Sequence, residues 1–206
     1  KKCFRKAFTR FQKDAAIKAD YAAFCARESD WLEDYALFTA LKREYRGAAW
    51  MEWPASVRSR DAKVLGDMKN RLREYVDYEM FLQYVFDSQW RDLHTYAKKK
   101  GISLLGDMPI FAAQDSADVW ANPTLFDLNA DGTAHTVAGV PPDYFSATGQ
   151  LWGNPQYDWQ AMQADGYGWW KRRLKRLYTL TDIVRIDHFR AFESYWAIDG
   201  KAETAI

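Results

Sequence analysis

An arginine and a carboxylate lie two residues apart near the end of the chain. Residues 183–186 form a short β-branched run, which predicts a buried strand. Side chains alternate along a strand, so Arg185 and Asp187 are expected on the same face. The permanent cation of an arginine favours the ionised form of a neighbouring carboxylate. Such an aspartate at the end of a strand suits the nucleophile of a retaining glycosidase or transglycosylase, and a structural ion pair is the alternative.

A second aspartate follows another short apolar run. Residues 102–107 come after a helical segment and are typical of a buried parallel strand in an α/β protein. Asp107 is predicted at the carboxyl end of this strand, where α/β enzymes place binding and catalytic groups.

Between the two predicted strands lies a long segment, residues 122–165, that is rich in turn residues. It also carries aromatic side chains at Tyr144, Phe145, Trp152, Tyr157 and Trp159. Structureless loops of this length are uncommon and usually functional. The segment is therefore predicted to be a lid over a sugar chain, with an ordinary packed Ω-loop as the alternative.

Helical patterns surround these strands. An apolar stripe covers residues 31–45, and a longer one covers residues 61–100 with one break near the middle. Three lysines followed by Gly101 suit the end of that helix. A basic amphipathic helix is predicted at residues 169–180. The strand–helix–strand order predicts an α/β fold: a partial (β/α)₈ TIM barrel of about two strands in residues 101–206, after a mostly helical insertion subdomain in residues 1–100.

Composition excludes several classes of function. The 206 residues are 48% hydrophobic and 28% charged, and the net charge is +1, so neither nucleic acid nor an anionic membrane is an expected partner. No apolar run approaches the roughly 20 residues of a membrane span. Two cysteines form no disulfide framework, which predicts free thiols and a cytoplasmic location. The three histidines lack ligand spacing and no phosphate or dinucleotide motif occurs, so neither metal nor cofactor is expected.

Six strings of residues resemble one known family. They are WLEDYALF at 31–38, GDMPIF at 106–111, DSADVWA at 115–121, VAGVPPDYFS at 137–146, TGQLWGNP at 148–155 and VRIDHFR at 184–190. The strings are similar to those of the amylomaltases, the 4-α-glucanotransferases (disproportionating enzymes) of glycoside hydrolase family 77, and the last five run in family order.

The resemblance implies a (β/α)₈ barrel with a helical insertion, and a retaining double displacement. The enzyme would cut an α-1,4-glucan (maltodextrin) and pass the bound part to the 4-hydroxyl of glucose or another maltodextrin. Asp187 would be the nucleophile and Arg185 would orient it, while Asp107 and His188 would contact hydroxyls of the donor sugar. Residues 141–150 would form a loop over the cleft. Further substrate contacts are implied for Asp143, Tyr144, Phe145, Trp152 and Asn154.

Two departures from the family pattern bear on activity. Residue 191 is alanine where the family usually has glycine, which matters only if that backbone needs a positive φ. The family's acid/base glutamate lies in a Gly-Glu-Asp-Leu-Gly string that this chain lacks. We therefore expect an internal piece of a larger protein that is nearly inactive alone, since general acid catalysis contributes roughly 10²–10⁴-fold. Unpaired strand edges would also favour self-association.

Three other functions stay open from the sequence. An α-amylase-like hydrolase would use water as the acceptor and release glucose. A non-catalytic glucan-binding module would bind maltodextrin unchanged after Asp187→Asn. An inert helical domain would bind no glucan.

Overall fold

A computed structural model describes residues 2–206, whose contacts form two compact units. The first unit is Lys1–Gly47 with Asp61–Ile102, and the second is Ala48–Arg60 with Ser103–Ile206. Residues 48–60, which were predicted to lie in the helical part, belong to the second unit. The buried Trp50 anchors them there, because its indole Nε1 donates a hydrogen bond to the carbonyl oxygen of Gln114 at 2.7 Å.

Helices dominate the first half of the chain and short strands appear in the second. The helices are α1 (Lys2–Phe11), α2 (Ala15–Arg27), α3 (Leu32–Glu44), α4 (Ala55–Arg58), α5 (Ala62–Arg71), α6 (Arg73–Lys99), α7 (Ala117–Ala121), α8 (Trp159–Ala164) and α9 (Gly168–Leu180). The strands are β1 (Leu105–Pro109), β2 (Thr136–Val140), β3 (Gln150–Pro155), β4 (Ile183–Asp187) and β5 (Trp196–Asp199). Short 3₁₀ helices lie at Trp50–Glu52, Pro123–Leu125 and Phe189–Phe192.

The first unit is built on α6, against which α1, α2, α3 and α5 pack. Its core contains two aromatic clusters, Phe8 with Tyr78 and Phe81, and Phe24 with Leu32 and Tyr84. The predicted break in the long helical pattern occurs at Leu72, which lies before the middle of that pattern. The predicted end is confirmed, because α6 ends at Lys99 and Gly101 has a φ of +72°.

The second unit contains the predicted parallel pair β1 and β4. The prediction that these strands are buried was wrong, because most of their residues are exposed or half-buried. The pairing places Asp107 opposite Arg185 and Pro109 opposite Asp187. β1 begins later than predicted and continues to Pro109, so Asp107 lies in its middle and not at its carboxyl end. The helix α9 contacts β4, which it precedes in the chain.

The prediction that residues 122–165 are structureless was wrong. They contain β2, β3 and α8, and β2 lies between β3 and β5 in an antiparallel sheet of three strands. The register of β2 and β3 shifts between Val137 and Gly139, so the alternation that marks a regular strand is interrupted. The other strand that pairs with β2 is β5, which comes more than fifty residues later in the chain. Local sequence does not indicate such a pairing.

Gly139 shows how closely this sheet is packed. An added Cβ would lie 2.2 Å from the carbonyl oxygen of Gln150 and 2.4 Å from Cδ1 of Ile198. A strand carbonyl cannot withdraw without breaking its ladder, so we expect Gly139→Ala to lower the free energy of unfolding by roughly 1–3 kcal/mol. Urea unfolding measures this loss.

Gly66 provides the matched control, since an added Cβ there has no neighbour within 4 Å. It lies inside α5, where alanine is favoured over glycine by roughly 0.5–1 kcal/mol, so Gly66→Ala should leave stability unchanged or higher. Equal stability of the Gly139→Ala variant and the unaltered chain would contradict the close packing at Gly139.

Candidate active site

The guanidinium of Arg185 joins two carboxylates. Its Nη1 donates to Oδ2 of Asp107 at 2.5 Å and its Nη2 donates to Oδ1 of Asp187 at 2.6 Å. Arg185 and Asp187 reach the same side because side chains alternate along β4, as the sequence predicted. Asp107 lies on the same side because the parallel register of β1 and β4 places it opposite Arg185. The contact between Arg185 and Asp107 was not predicted, since it depends on the register of β1 against β4.

Stability does not explain this convergence of charges. The side chains of Asp107, Arg185 and Asp187 are 52%, 56% and 58% exposed. Ion pairs at that exposure contribute only about 0–1 kcal/mol to folding. A fixed carboxylate at the end of a strand, open to solvent and oriented by a planar cation, is instead available to a bound molecule.

Asp187 also lines a small cavity of about 160 Å³. The other residues that line it are Pro109, Ile110, Phe111, Trp152, Asn154 and His188. The cavity thus brings together four of the predicted site residues. Asp187 is the last residue of β4, His188 follows it directly, and Trp152 and Asn154 belong to β3. The cavity is below the roughly 300–1,000 Å³ of ligand pockets, so it would hold only part of a longer ligand.

Aromatic rings surround His188 in this cavity. Its backbone is left-handed, with a φ of +53°, and this turns the chain away directly after β4. The Trp152 ring lies 5.1 Å from the imidazole at an interplanar angle of 83°, and the Phe111 ring lies 6.4 Å from it. Trp152 is 38% exposed, so part of its surface faces solvent. Flat apolar surface beside hydrogen-bonding groups is suited to a sugar ring.

Five predicted site residues do not line this cavity: Asp107 and Arg185, which form the ion pairs described above, and three residues of a turn. Asp143, Tyr144 and Phe145 belong to the turn between β2 and β3, and Tyr144 and Phe145 are 97% and 90% exposed. The Asp143 carboxylate accepts hydrogen bonds from the backbone N–H groups of Phe145 and Ser146, both at 2.9 Å. Two large adjacent aromatic side chains held open to solvent are unusual without a ligand.

Three side chains fix the segment after β1, and this role was not predicted for any of them. Asn154 was predicted as a substrate contact, and its Nδ2 donates to the carbonyl oxygen of Ala112 at 2.9 Å. The Tyr157 hydroxyl and Nη1 of Arg173 both donate to the carbonyl oxygen of Ile110, and Nη2 of Arg173 donates to that of Pro109. The only sequence signal for these anchors was the basic character of the helix that carries Arg173.

Within residues 2–206 there is no group of three or more His, Cys, Asp or Glu side chains that could hold a metal ion. The same residues include no helix with the length and apolar character needed to cross a membrane.

Comparison with known proteins identifies the family. Residues 1–206, the full length of the chain, match the family described as 4-alpha-glucanotransferase, glycoside hydrolase family 77. The chain belongs to glycoside hydrolase family 77. It is 48% identical over 204 residues to the 4-alpha-glucanotransferase of Synechocystis sp., covering 98% of this chain and 40% of the relative. It is also 48% identical over 204 residues to that of Thermus thermophilus, covering 98% and 41%.

A solved family 77 structure shares the fold. The amylomaltase from Streptococcus agalactiae, in complex with acarbose, matches with a TM-score of 0.95 and 37% sequence identity. The match covers 100% of this chain and 41% of that protein. The fold is therefore the α/β fold of an amylomaltase segment, and the chain spans about 40% of the length of the curated relatives it matches.

The departure from the family pattern at Ala191 is accommodated. This residue lies in the 3₁₀ helix Phe189–Phe192 and is 1% exposed. Right-handed helical backbone takes alanine without strain, so the extra methyl group imposes no backbone cost at this position.

Proposed function

We propose that this chain supplies the nucleophile and part of the donor-sugar site of a 4-α-glucanotransferase. The observation that carries the proposal is the position of Asp187, which is held by Arg185 at the edge of a cavity lined by Trp152 and His188, in a chain that matches family 77 throughout. The substrate is an α-1,4-glucan, and the acceptor is glucose or another maltodextrin. Acarbose bound to the Streptococcus agalactiae relative supports a sugar ligand.

The reaction begins when Asp187 attacks the anomeric carbon of the donor and forms a glycosyl ester. The glycosidic bond to the rest of the glucan breaks in this step, and the released part leaves with a proton, given by a general acid, on its 4-oxygen. The acceptor 4-hydroxyl then displaces Asp187, so the configuration is retained. Arg185 orients the attacking carboxylate, while Asp107 and His188 bind donor hydroxyls. Asp107 is suited to binding and not to proton donation, because its carboxylate accepts from the same guanidinium as Asp187.

A second carboxyl group about 5–5.5 Å from the nucleophile must serve as acid and then base. We assign this role to a family 77 glutamate that does not occur among these 206 residues. The chain alone is then expected to bind glucan and transfer it poorly, since general acid help contributes roughly 10²–10⁴-fold.

We place β1 and β4 as neighbouring strands of a (β/α)₈ barrel. Their parallel pairing and the position of Asp187 at the carboxyl end of β4 support this placement. The exposed Tyr144 and Phe145, next to Asp143, are proposed to close over the glucan. A cytoplasmic location and self-association through unpaired strand edges stay predictions.

A chimeric enzyme tests the proposed activity. The chain replaces the matching segment of the Thermus thermophilus relative, and maltotriose products are separated by thin-layer chromatography. A ladder of longer maltodextrins plus glucose from the chimera, and not from the chain alone, is the expected result. Glucose without longer products would indicate a hydrolase, and no products with intact maltodextrin binding would indicate a binding module.

A further inference from the structure

We propose that Arg173 is a positioning residue of the glucan cavity. It fixes the backbone after β1 and thereby holds Phe111 against His188. The inference rests on the proposed glucan-binding function, because it concerns the same cavity, and it adds a residue of α9 that does not line that cavity.

The contacts of Arg173 converge on the end of β1. Its Nη2 donates to the carbonyl oxygen of Pro109 at 2.6 Å, and its Nη1 donates to that of Ile110 at 3.0 Å. Nη1 also lies 3.2 Å from the hydroxyl oxygen of Tyr157, which itself donates to Ile110 at 2.5 Å. Pro109 is the last residue of β1 paired with β4. The bonds from Arg173 therefore fix the backbone at the point where the strand pairing ends.

The surroundings hold the guanidinium in one place. It lies 5.2 Å from the ring of Trp169 and 5.1 Å from that of Trp170, both of which are buried. Aromatic faces attract a guanidinium and restrict its motion. Burial raises the pKa of Tyr157, so its hydroxyl keeps its proton and remains a donor. A planar group with several N–H donors can serve these acceptors together, and a lysine ammonium on a flexible stem cannot hold the same geometry.

The held segment presents Phe111 to the cavity. Tyr157 stacks on the Phe111 ring at 5.9 Å with an interplanar angle of 23°. The same ring contacts Trp152 at 6.5 Å and His188 at 6.4 Å, and it is 6% exposed. On its other side, Asn154 binds the carbonyl of Ala112. The backbone on both sides of Phe111 is thus held by hydrogen bonds. If the backbone shifts at Ile110, the Phe111 ring moves, and so do Trp152 and His188, the rings that contact it and would bind the sugar.

The test compares Arg173→Gln with Arg172→Gln, an exposed arginine of the same helix. The chain has three histidines, His94, His135 and His188, so their ring-proton resonances are simple to follow by NMR. Replacing His94 and His135 by glutamine in turn assigns them. We expect Arg173→Gln to shift the His188 resonance alone, because its neighbouring rings move, and Arg172→Gln to shift none.

Ligand affinity provides the second measurement. We expect Arg173→Gln to raise the Kd of the chain for acarbose by about 10- to 100-fold in calorimetric titration, the scale of a misplacement near 1 Å. Arg173→Lys should fall between this variant and the unaltered chain, and Arg172→Gln should bind as tightly as the unaltered chain. In the chimera, the loss should be larger in KM than in kcat, since the group positions a sugar and does not touch the reacting atoms.

Tyr157→Phe keeps the test decisive if Arg173→Gln does not fold. It removes only the hydroxyl that donates to Ile110, and it should shift the same His188 resonance with a smaller loss of affinity. Folded variants with unchanged His188 resonance and unchanged Kd would overturn the proposal, as would equal shifts of all three histidines. If the unaltered chain binds no acarbose, the glucan function itself fails, while the histidine resonances still report whether Arg173 positions the cavity.

Discussion

Asp187→Asn should abolish glucan transfer by the chimera and leave glucan binding nearly intact. The amide keeps the shape of the side chain and an oxygen that accepts from Arg185, but it cannot form the glycosyl ester. We expect kcat for maltotriose disproportionation to fall by about 10⁴-fold or more, as for the loss of other covalent nucleophiles. Initial rates of glucose formation measure this change, and calorimetry with acarbose measures the retained binding.

The matched control is Asp199→Asn, because Asp199 is another exposed aspartate at the end of a strand, β5. Its carboxylate accepts a turn hydrogen bond from the backbone N–H of Lys201, which an amide oxygen also accepts. This variant should transfer glucan at the rate of the unaltered chimera. Substantial transfer by Asp187→Asn would refute the assignment of the nucleophile and direct attention to Asp107.

Arg185→Lys is expected to have the next largest effect. A lysine keeps the charge but has no planar fork, so it cannot bind Asp107 and Asp187 at the distances observed, 2.5 and 2.6 Å. The nucleophile then samples several orientations, and we expect kcat in the chimera to fall by about 10²-fold. Steady-state kinetics with maltotriose measure this loss.

Stability separates this effect from misfolding. Because the pairs of Arg185 are more than half exposed, their loss should change the free energy of unfolding by at most about 1 kcal/mol. Arg172→Lys, on the exposed face of α9, is the control and should retain the full rate. An unchanged kcat for Arg185→Lys would mean that only the positive charge at this position matters.

Local patterns were sufficient for several of the helices and for one half of the carboxylate arrangement. Apolar spacing indicated α3 and α9, and the lysines before Gly101 indicated the end of α6. The alternation of side chains along a strand placed Arg185 and Asp187 on one face. Each of these features depends on residues within a few positions of one another, so the sequence contains the whole physical cause.

Pairing between distant segments could not be predicted from local sequence patterns. The antiparallel sheet of β2, β3 and β5 was missed for three reasons. β2 and β3 contain glycines, their register shifts, and β5 lies far along the chain from β2. The association of residues 48–60 with the second unit also depends on a contact between distant segments, the hydrogen bond from Trp50 to the carbonyl oxygen of Gln114. Local sequence therefore did not predict it.

The sequence by itself determined the family, because long strings of specific residues carry that information. It also determined the candidate nucleophile and the arginine beside it, because side chains alternate along a strand with a period of two residues. Only the tertiary structure decided that Asp107 shares this arginine, since a single register of β1 against β4 sets them opposite each other. It alone also decided that Arg173 and Tyr157 fix the segment before Phe111. Such contacts join segments more than forty residues apart, and their geometry exists only after the chain has folded.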